Sequence, residues 1–205
     1  LFPYTTLFRS EAFSDLSVVA DFETDKDPMP FIHHLTENTV KGYVDMSVVG
    51  GPTANTEFEM LTRSTMAFLP TGSVPYTQYL KQEIPSLCMV LKSQGNPYRA
   101  IAFHPYYASG YNRQSVYDYL DFDEKIFYED WSDRDKLRGL LTDIADYEDL
   151  VAMYEQHKAE NPDQPLFFFN VTIQNHGGYS NRNISFADPV KVTSYEVPRA
   201  MDNYL

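Results

Sequence analysis

One hydroxyl side chain stands where a glycine turn meets the start of a helix. Thr53 follows Gly50-Gly51-Pro52, an apolar run over 43–49 precedes this turn, and Phe58 and Leu61 begin a helical spacing after it. The first N–H groups of a helix lack intrahelical partners and carry the positive end of its dipole, so they favour an oxyanion. A hydroxyl held there can attack phosphorus if its proton affinity is lowered. The alternative is that Thr53 only caps the helix.

A second group of candidate residues follows a predicted strand that ends at 103. His104 comes directly after that strand, and a tyrosine-rich loop leads to Tyr111 and Arg113. An imidazole, aromatic rings and a cation at the carboxyl end of a strand suit a phosphorylated polyol. The alternative is that the loop tyrosines form a packed cluster, which we favour for Tyr106 and Tyr107.

The elements that must position these residues indicate an α/β fold. Residues 165–173 are almost continuously apolar, which is typical of a strand buried on both faces of a parallel sheet. His176 lies just beyond that strand. The leucine spacing predicts an amphipathic helix over 133–145 and a second helix over 148–158.

Four segments resemble the lipoteichoic acid synthase family and occur in that family's order. They are Glu11 to Leu16, Gly51 to Phe58, His104 to Arg113, and Asn170 to Tyr179. The resemblance implies a sulfatase-like fold of the alkaline-phosphatase type, with a mostly parallel sheet flanked by helices and truncated at both ends. One departure is Tyr111, since better-known members have Trp there, with Asn-Arg following as in this chain.

The resemblance also implies the roles of individual residues. Thr53 would be the nucleophile, and Glu11 and Thr53 would hold a divalent cation, Mn²⁺ or Mg²⁺. The implied substrate-binding residues are His104, Tyr111, Arg113 and His176. The family completes its metal site with an Asp-His pair, and no Asp-His dipeptide occurs in this sequence. We therefore expect the chain by itself to be inactive.

The implied reaction is metal-dependent transfer of phosphoglycerol from a phosphatidylglycerol-type lipid to a hydroxyl of a teichoic acid or glycan, through a phospho-threonine. The implied location is the outer face of the bacterial membrane, with anchoring by N-terminal helices missing from this sequence. A phosphoethanolamine transferase, another sulfatase-like phosphodiesterase and a non-catalytic headgroup- or glycan-binding domain are the alternatives. A true sulfatase would need a Cys or Ser nucleophile where this chain has Thr53.

Composition narrows the remaining possibilities. The 205 residues carry a net charge of −13, which argues against nucleic-acid binding. The single cysteine, Cys88, has no partner for an internal disulfide and is predicted to lie in the core. Residues 1–10 resemble a translated sequencing adapter, so we predict an artefact there and a partial catalytic domain over 11–205. No apolar run is long enough to cross a bilayer.

Overall fold

The computed structural model describes residues 14–18, 20–43, 47–48, 50, 52–128, 133–179 and 189–196, together with the backbone of 4–9. The chain divides into two compact units. The first contains residues 1–11 and 45–174, and the second contains residues 12–44 and 175–205. Glu11 and four of the seven residues of the predicted 43–49 strand lie outside the described residues.

A four-stranded parallel sheet forms the centre of the first unit. Its spatial order is β1 (Tyr4–Arg9), β6 (Leu166–Val171), β2 (Arg99–His104) and β3 (Glu124–Phe127). Every pairing between neighbours is parallel. The strand predicted over 165–173 is thus confirmed as β6, and all six of its described side chains are buried.

Helices begin where the sequence supplies suitable caps. Ser86 and Thr142 accept hydrogen bonds from backbone N–H groups three residues later, which satisfies donors of the first turn. The helices are α1 (Pro30–His34), α2 (Thr53–Thr62), α3 (Pro75–Gln78), α4 (Leu87–Lys92), α5 (Arg113–Tyr119) and α6 (Asp143–Glu160). None of the described helices is both long and apolar enough to cross a membrane.

The predicted helix over 133–145 is wrong. The chain instead forms a hairpin of β4 (Lys136–Leu137) and β5 (Leu140–Leu141), and helix α6 then begins at Asp143. Arg138 and Gly139 form the turn, with φ values of 57° and 80°. Positive φ at both central residues is the geometry that joins two antiparallel strands tightly, and glycine adopts it without strain.

Two apolar layers cover the two faces of the sheet. Ala100, Phe167 and Phe169 face one cluster, which includes residues of α2, α4 and α5. Ile101 and Phe168 belong to the other cluster, which includes residues of α6. Helices on both sides therefore explain why the strands are apolar on both faces. Cys88 is fully buried in the first cluster, as predicted.

The second unit contains α1 and a short antiparallel contact. Thr24 pairs with Val192, and Asp25 donates its backbone N–H to the Lys191 carbonyl at 2.9 Å. The His33 imidazole lies 2.8 Å from the Asp27 carboxylate. The contacts of Thr24 and Asp25 connect segments of the unit that are distant in sequence, whereas the His33–Asp27 contact is local.

Candidate functional site

Thr53 occupies the first position of helix α2, as the glycine turn predicts. Gly50 has φ of 55°, a conformation that favours glycine, and Pro52 is extended just before the helix. Pro52 has no side chain that could accept hydrogen bonds from the N–H groups of the first turn. The half-buried Thr53 hydroxyl therefore belongs to a helix start that is uncapped by the preceding side chain and electrostatically positive.

Helix α2 is bound to α5 by a buried ion pair one turn after Thr53. Glu57 is fully buried, and the Arg113 guanidinium donates to both of its carboxylate oxygens, with Nε at 3.2 Å from Oε2. Arg113 is itself only 2% exposed. Because residues four apart share one face of a helix, this ion pair fixes the face of α2 that carries Thr53.

Tyr117 completes the partners of the Glu57 carboxylate. Its phenol donates to Oε2 at 3.0 Å, so three donors from one helix surround a single buried carboxylate. Burial alone would raise the pKa of Glu57, but the charge and hydrogen bonds of Arg113 outweigh it and lower the pKa below its ordinary value. The carboxylate is therefore ionised at neutral pH.

His104 ends strand β2 and lies at the carboxyl edge of the sheet. Its Nδ1 donates to the Val171 carbonyl at 2.7 Å, since a carbonyl can only accept, and the side chain is buried. In the neutral ring this contact places the lone pair on Nε2. His104 also contributes to the lowered pKa of Glu57, so the two groups interact electrostatically.

The loop between β2 and α5 places Tyr111 against Arg113. The guanidinium carbon lies 5.2 Å from the centre of the Tyr111 ring, within cation–π range. Tyr111 and Asn112 both have left-handed backbone conformations, with φ of 53° and 58°. Such conformations cost a non-glycine residue about 1 kcal/mol each, and they concentrate at functional sites.

Comparison with known proteins identifies the fold and the family. The family model described as "Sulfatase" matches residues 7–204. The chain belongs to the sulfatase family. This confirms the predicted sulfatase-like fold class and the sulfatase-like superfamily to which the resemblance pointed.

Two solved structures share this sulfatase fold. The Streptococcus pyogenes phosphoglycerol transferase GacH, in complex with sn-glycerol-1-phosphate, has a TM-score of 0.75 at 23% identity, over 98% of this chain and 53% of that one. The Listeria monocytogenes lipoteichoic acid synthase LtaP has a TM-score of 0.55 at 22% identity, over 62% and 29%. At these identities the likeness establishes the fold alone.

A relative in sequence comes from Rhizobium meliloti (strain 1021). It is named for cyclic beta-1,2-glucan modification and is 36% identical over 177 residues, or 86% of this chain. The chain spans about a quarter (26%) of that relative's length.

Sulfatase-like enzymes generally depend on divalent metal ions. Within the part of the chain that the structure describes, no group of three or more His, Cys, Asp or Glu residues is arranged to hold a metal ion. Of the two predicted ligands, Thr53 is described and Glu11 is not. The described residues alone do not make up a cation site.

The four predicted substrate-binding residues fall into two groups. His104, Tyr111 and Arg113 lie in the first unit. The Tyr111 ring contacts Arg113, and His104 interacts electrostatically with Glu57, the partner of Arg113. His176 is exposed in the turn region after β6 and lies in the second unit.

Sequence reasoning missed Glu57 and Tyr117. Glu57 is easily interpreted as a residue of the first helical turn that complements the dipole, and Tyr117 as a core aromatic. The signal that could have found Glu57 is its position four residues after Thr53, on the same helix face. Its partner Arg113 is 56 residues away in sequence, so no local pattern identifies the pair.

Proposed function

We propose that this chain is part of the catalytic domain of a phosphoglycerol transferase, which moves phosphoglycerol from a phosphatidylglycerol-type lipid to a hydroxyl of a polymer or glycan. The observation that carries the proposal is the Thr53 hydroxyl at the start of α2, on a helix fixed by the buried Glu57–Arg113 pair. Membership of the sulfatase family and the fold shared with two such transferases support it.

In the first step the Thr53 oxygen attacks the phosphorus of the lipid headgroup. The Thr53 hydroxyl loses its proton as its oxygen forms a bond to phosphorus. The bond from phosphorus to the lipid oxygen breaks, and the leaving diacylglycerol takes up a proton. The N–H groups and dipole at the start of α2 would stabilise negative charge on the phosphate oxygens. The product on the protein is a phosphoglyceryl-threonine.

In the second step an acceptor hydroxyl attacks the same phosphorus. It loses its proton, the bond to Thr53 breaks, and the Thr53 hydroxyl is regenerated in a ping-pong cycle. His104 would contact the phosphate or transfer protons, and Tyr111 would line the glycerophosphate site. The Arg113 guanidinium, which is buried and bound to Glu57, would support the Tyr111 ring from inside. The predicted contact of His176 with the phosphate stays a prediction.

The proposal includes a divalent ion, Mn²⁺ or Mg²⁺, with Glu11 and Thr53 as this chain's ligands. Such an ion supplies positive charge that lowers the proton affinity of a bound hydroxyl and stabilises phosphate charge. If the complete enzyme is attached to the outer face of a bacterial membrane, as we propose, it would meet the lipid donor directly.

The test uses the complete protein that contains this chain. After incubation with phosphatidylglycerol labelled in its glycerol headgroup, mass spectrometry should find phosphoglycerol on Thr53. Thr53→Ala should lose the adduct and lower transfer by roughly a thousandfold or more, since it removes the nucleophile. Thr56→Ala removes a half-buried threonine from the same helix, and this variant should retain both the adduct and the transfer activity.

Two outcomes would contradict the proposal. Full transfer by Thr53→Ala would exclude the covalent intermediate. Labelling from phosphatidylethanolamine but not from phosphatidylglycerol would identify a phosphoethanolamine transferase instead.

A further inference from the structure

A cavity of about 210 Å³ opens beside His104, at the carboxyl edge of the sheet. The described residues that line it are Pro105, Tyr106, Tyr107, Tyr128, Gly139 and Leu140. Strand β2 ends at His104 and β3 ends at Phe127, so the first four follow directly from the ends of neighbouring strands. In open α/β sheets this edge is where ligands bind.

Three tyrosine rings form one wall, and their geometry is fixed. The Tyr107 ring centre lies 5.1 Å from that of Tyr106 and 5.2 Å from that of Tyr128, in edge-to-face contacts. Tyr128 donates its backbone N–H to the Tyr106 carbonyl at 3.1 Å, which extends the pairing of β2 and β3 beyond their ends. The wall is therefore built before any ligand arrives.

The rings are in contact, as a packed cluster predicts, yet they are not buried. Tyr106 is 38% exposed and Tyr107 is 49% exposed. Buried aromatic packing would hide these faces, whereas here two of them remain available to a ligand. Gly139 lies across the cavity with open space where a β-carbon would be, so its backbone leaves room there.

Among the residues that the structure describes, the lining is amphipathic and uncharged. None of the six lining residues carries a charged side chain. At the rim, the Lys136 ammonium donates to the Tyr128 hydroxyl at 2.7 Å and lies 4.7 Å from the ring centre. A ligand that fits must present an apolar face to the rings and polar groups to the phenol hydroxyls.

We infer that this tyrosine pocket binds one sugar ring of a neutral glycan, the acceptor in the transfer reaction. The inference rests on the proposed function and narrows its acceptor class. A sugar ring has a face of C–H groups and an edge of hydroxyls, and the cavity is smaller than those that hold drug-sized ligands.

Charge favours a neutral glycan over a teichoic acid. The chain carries a net charge of −13, which repels a polymer of phosphates. A neutral glycan meets no such repulsion. The relative named for cyclic beta-1,2-glucan modification is consistent with this acceptor class.

The test measures binding of a neutral β-1,2-glucan oligosaccharide by calorimetry. The complete protein carries Thr53→Ala, so that no transfer accompanies binding. Binding should be saturable, and Tyr107→Ala should weaken it about tenfold, since it removes the central ring of the wall. Tyr107→Phe should retain most of the affinity because it keeps that ring.

Tyr79→Ala is the matched control. The exposed fraction of Tyr79 is 50%, similar to the 49% of Tyr107, but Tyr79 does not line the pocket. Tyr79→Ala should therefore leave the glucan affinity unchanged. A neutral ligand should also bind equally well at low and high salt, whereas binding of a polyanion to this acidic chain should improve as salt screens repulsion.

Several outcomes would overturn the inference: no saturable glucan binding, equal affinity in Tyr107→Ala, or tighter binding of poly(glycerol phosphate) than of the glucan. These results are separable from those of the adduct experiment. Glucan binding without a Thr53 adduct contradicts the proposed reaction but still supports glycan binding by the tyrosine pocket. An adduct without glucan binding contradicts the pocket alone.

Discussion

Two buried carboxyl groups lie on opposite faces of the central sheet, and they differ in protonation. Glu57 on α2 meets the Arg113 guanidinium and the Tyr117 phenol. Asp146 on α6 is 1% exposed and accepts one hydrogen bond, from the Asn170 amide at 2.6 Å. Its other oxygen, Oδ1, has no hydrogen-bond partner among the described residues.

The pKa values of the two groups move in opposite directions. For both, burial is the largest influence and favours the neutral acid. Arg113 reverses this at Glu57 and lowers its pKa, whereas at Asp146 the amide opposes burial only weakly and the pKa rises to about 7. The charges of Asp143 and Asp149 raise the pKa of Asp146 further. The two buried carboxyl groups therefore differ in the charges beside them, a cation at Glu57 and two carboxylates at Asp146.

Removal of the cation should have the largest effect. Arg113→Ala leaves the Glu57 carboxylate buried without its counter-charge, and we expect a loss of about 3–5 kcal/mol in the free energy of unfolding. Urea unfolding measures it. Arg99→Ala is the control, because the Arg99–Glu124 pair is 37% and 41% exposed and should contribute less than about 1 kcal/mol. Equal losses of unfolding free energy in the two variants would show that breaking the buried Glu57–Arg113 pair costs no more than breaking an exposed pair.

The pH dependence of Asp146 should be the next largest effect. Its pKa is higher in the folded protein than the ordinary 3.8, so the folded state binds more protons between pH 4 and 7. Its contribution is complete below pH 4 and is lost as pH rises to about 7. Between pH 4.5 and 7.5 wild type should lose about 3 kcal/mol relative to Asp146→Asn, which cannot titrate.

Glu57→Gln gives the opposite sign in the same experiment. Because the Glu57 pKa is lowered, its ionised form stabilises the fold above the ordinary value of 4.5, and this is lost as pH falls through the folded pKa. Unfolding free energies of the two variants and wild type, measured across pH 3–8, provide the comparison. Parallel pH profiles for Asp146→Asn and Glu57→Gln would contradict the assigned protonation states.

How far the sequence predicts these features depends on whether the signal is local. The parallel sheet follows from the apolar run of β6, and the turn before α2 from Gly50 and the residues beside it. The leucine spacing over 133–145 failed because its 3–4 residue intervals also suit a hairpin whose turn is Arg138-Gly139. Glycine in the middle of that pattern was the contrary signal.

The candidate site was predictable only in its separate parts. Thr53, His104 and Tyr111 stand at the ends of regular elements, where local patterns locate them. That Arg113 binds Glu57 depends on how α2 and α5 pack on the sheet, which no spacing within either helix specifies. The contrast between Glu57 and Asp146 has the same origin, since both are acidic residues early in a helix.

A single hydrogen bond to Glu57 should have a smaller effect than its cation. Tyr117→Phe removes the phenol that donates to Oε2 at 3.0 Å but keeps the ring among its aromatic neighbours. Hydrogen bonds to charged groups contribute about 1.5–3 kcal/mol, and we expect a loss near 1.5 kcal/mol in urea unfolding.

Tyr76→Phe is the matched control for that variant. Tyr76 is equally buried, its ring lies 6.5 Å from that of Tyr117, and its hydroxyl finds no hydrogen-bond partner among the described residues. Removal of an unsatisfied buried hydroxyl should be neutral or stabilising. If Tyr76→Phe were as destabilising as Tyr117→Phe, the Tyr117 hydroxyl would not stabilise the fold through its hydrogen bond to Glu57.

The smallest expected effect on unfolding free energy concerns the Tyr111 ring that contacts Arg113. Tyr111→Ala removes the ring whose centre lies 5.2 Å from the guanidinium carbon, and since Tyr111 is 37% exposed we expect a loss of about 0.5–1 kcal/mol in urea unfolding. Tyr111→Phe keeps the ring face and should lose almost nothing. Tyrosine, alanine and phenylalanine all have a β-carbon, so the cost of the left-handed backbone at φ 53° is the same in wild type and in both variants. This cost therefore does not affect the comparison of their unfolding free energies. If Tyr111→Ala were as damaging as Arg113→Ala, the ring rather than Glu57 would be the group that holds the guanidinium in place.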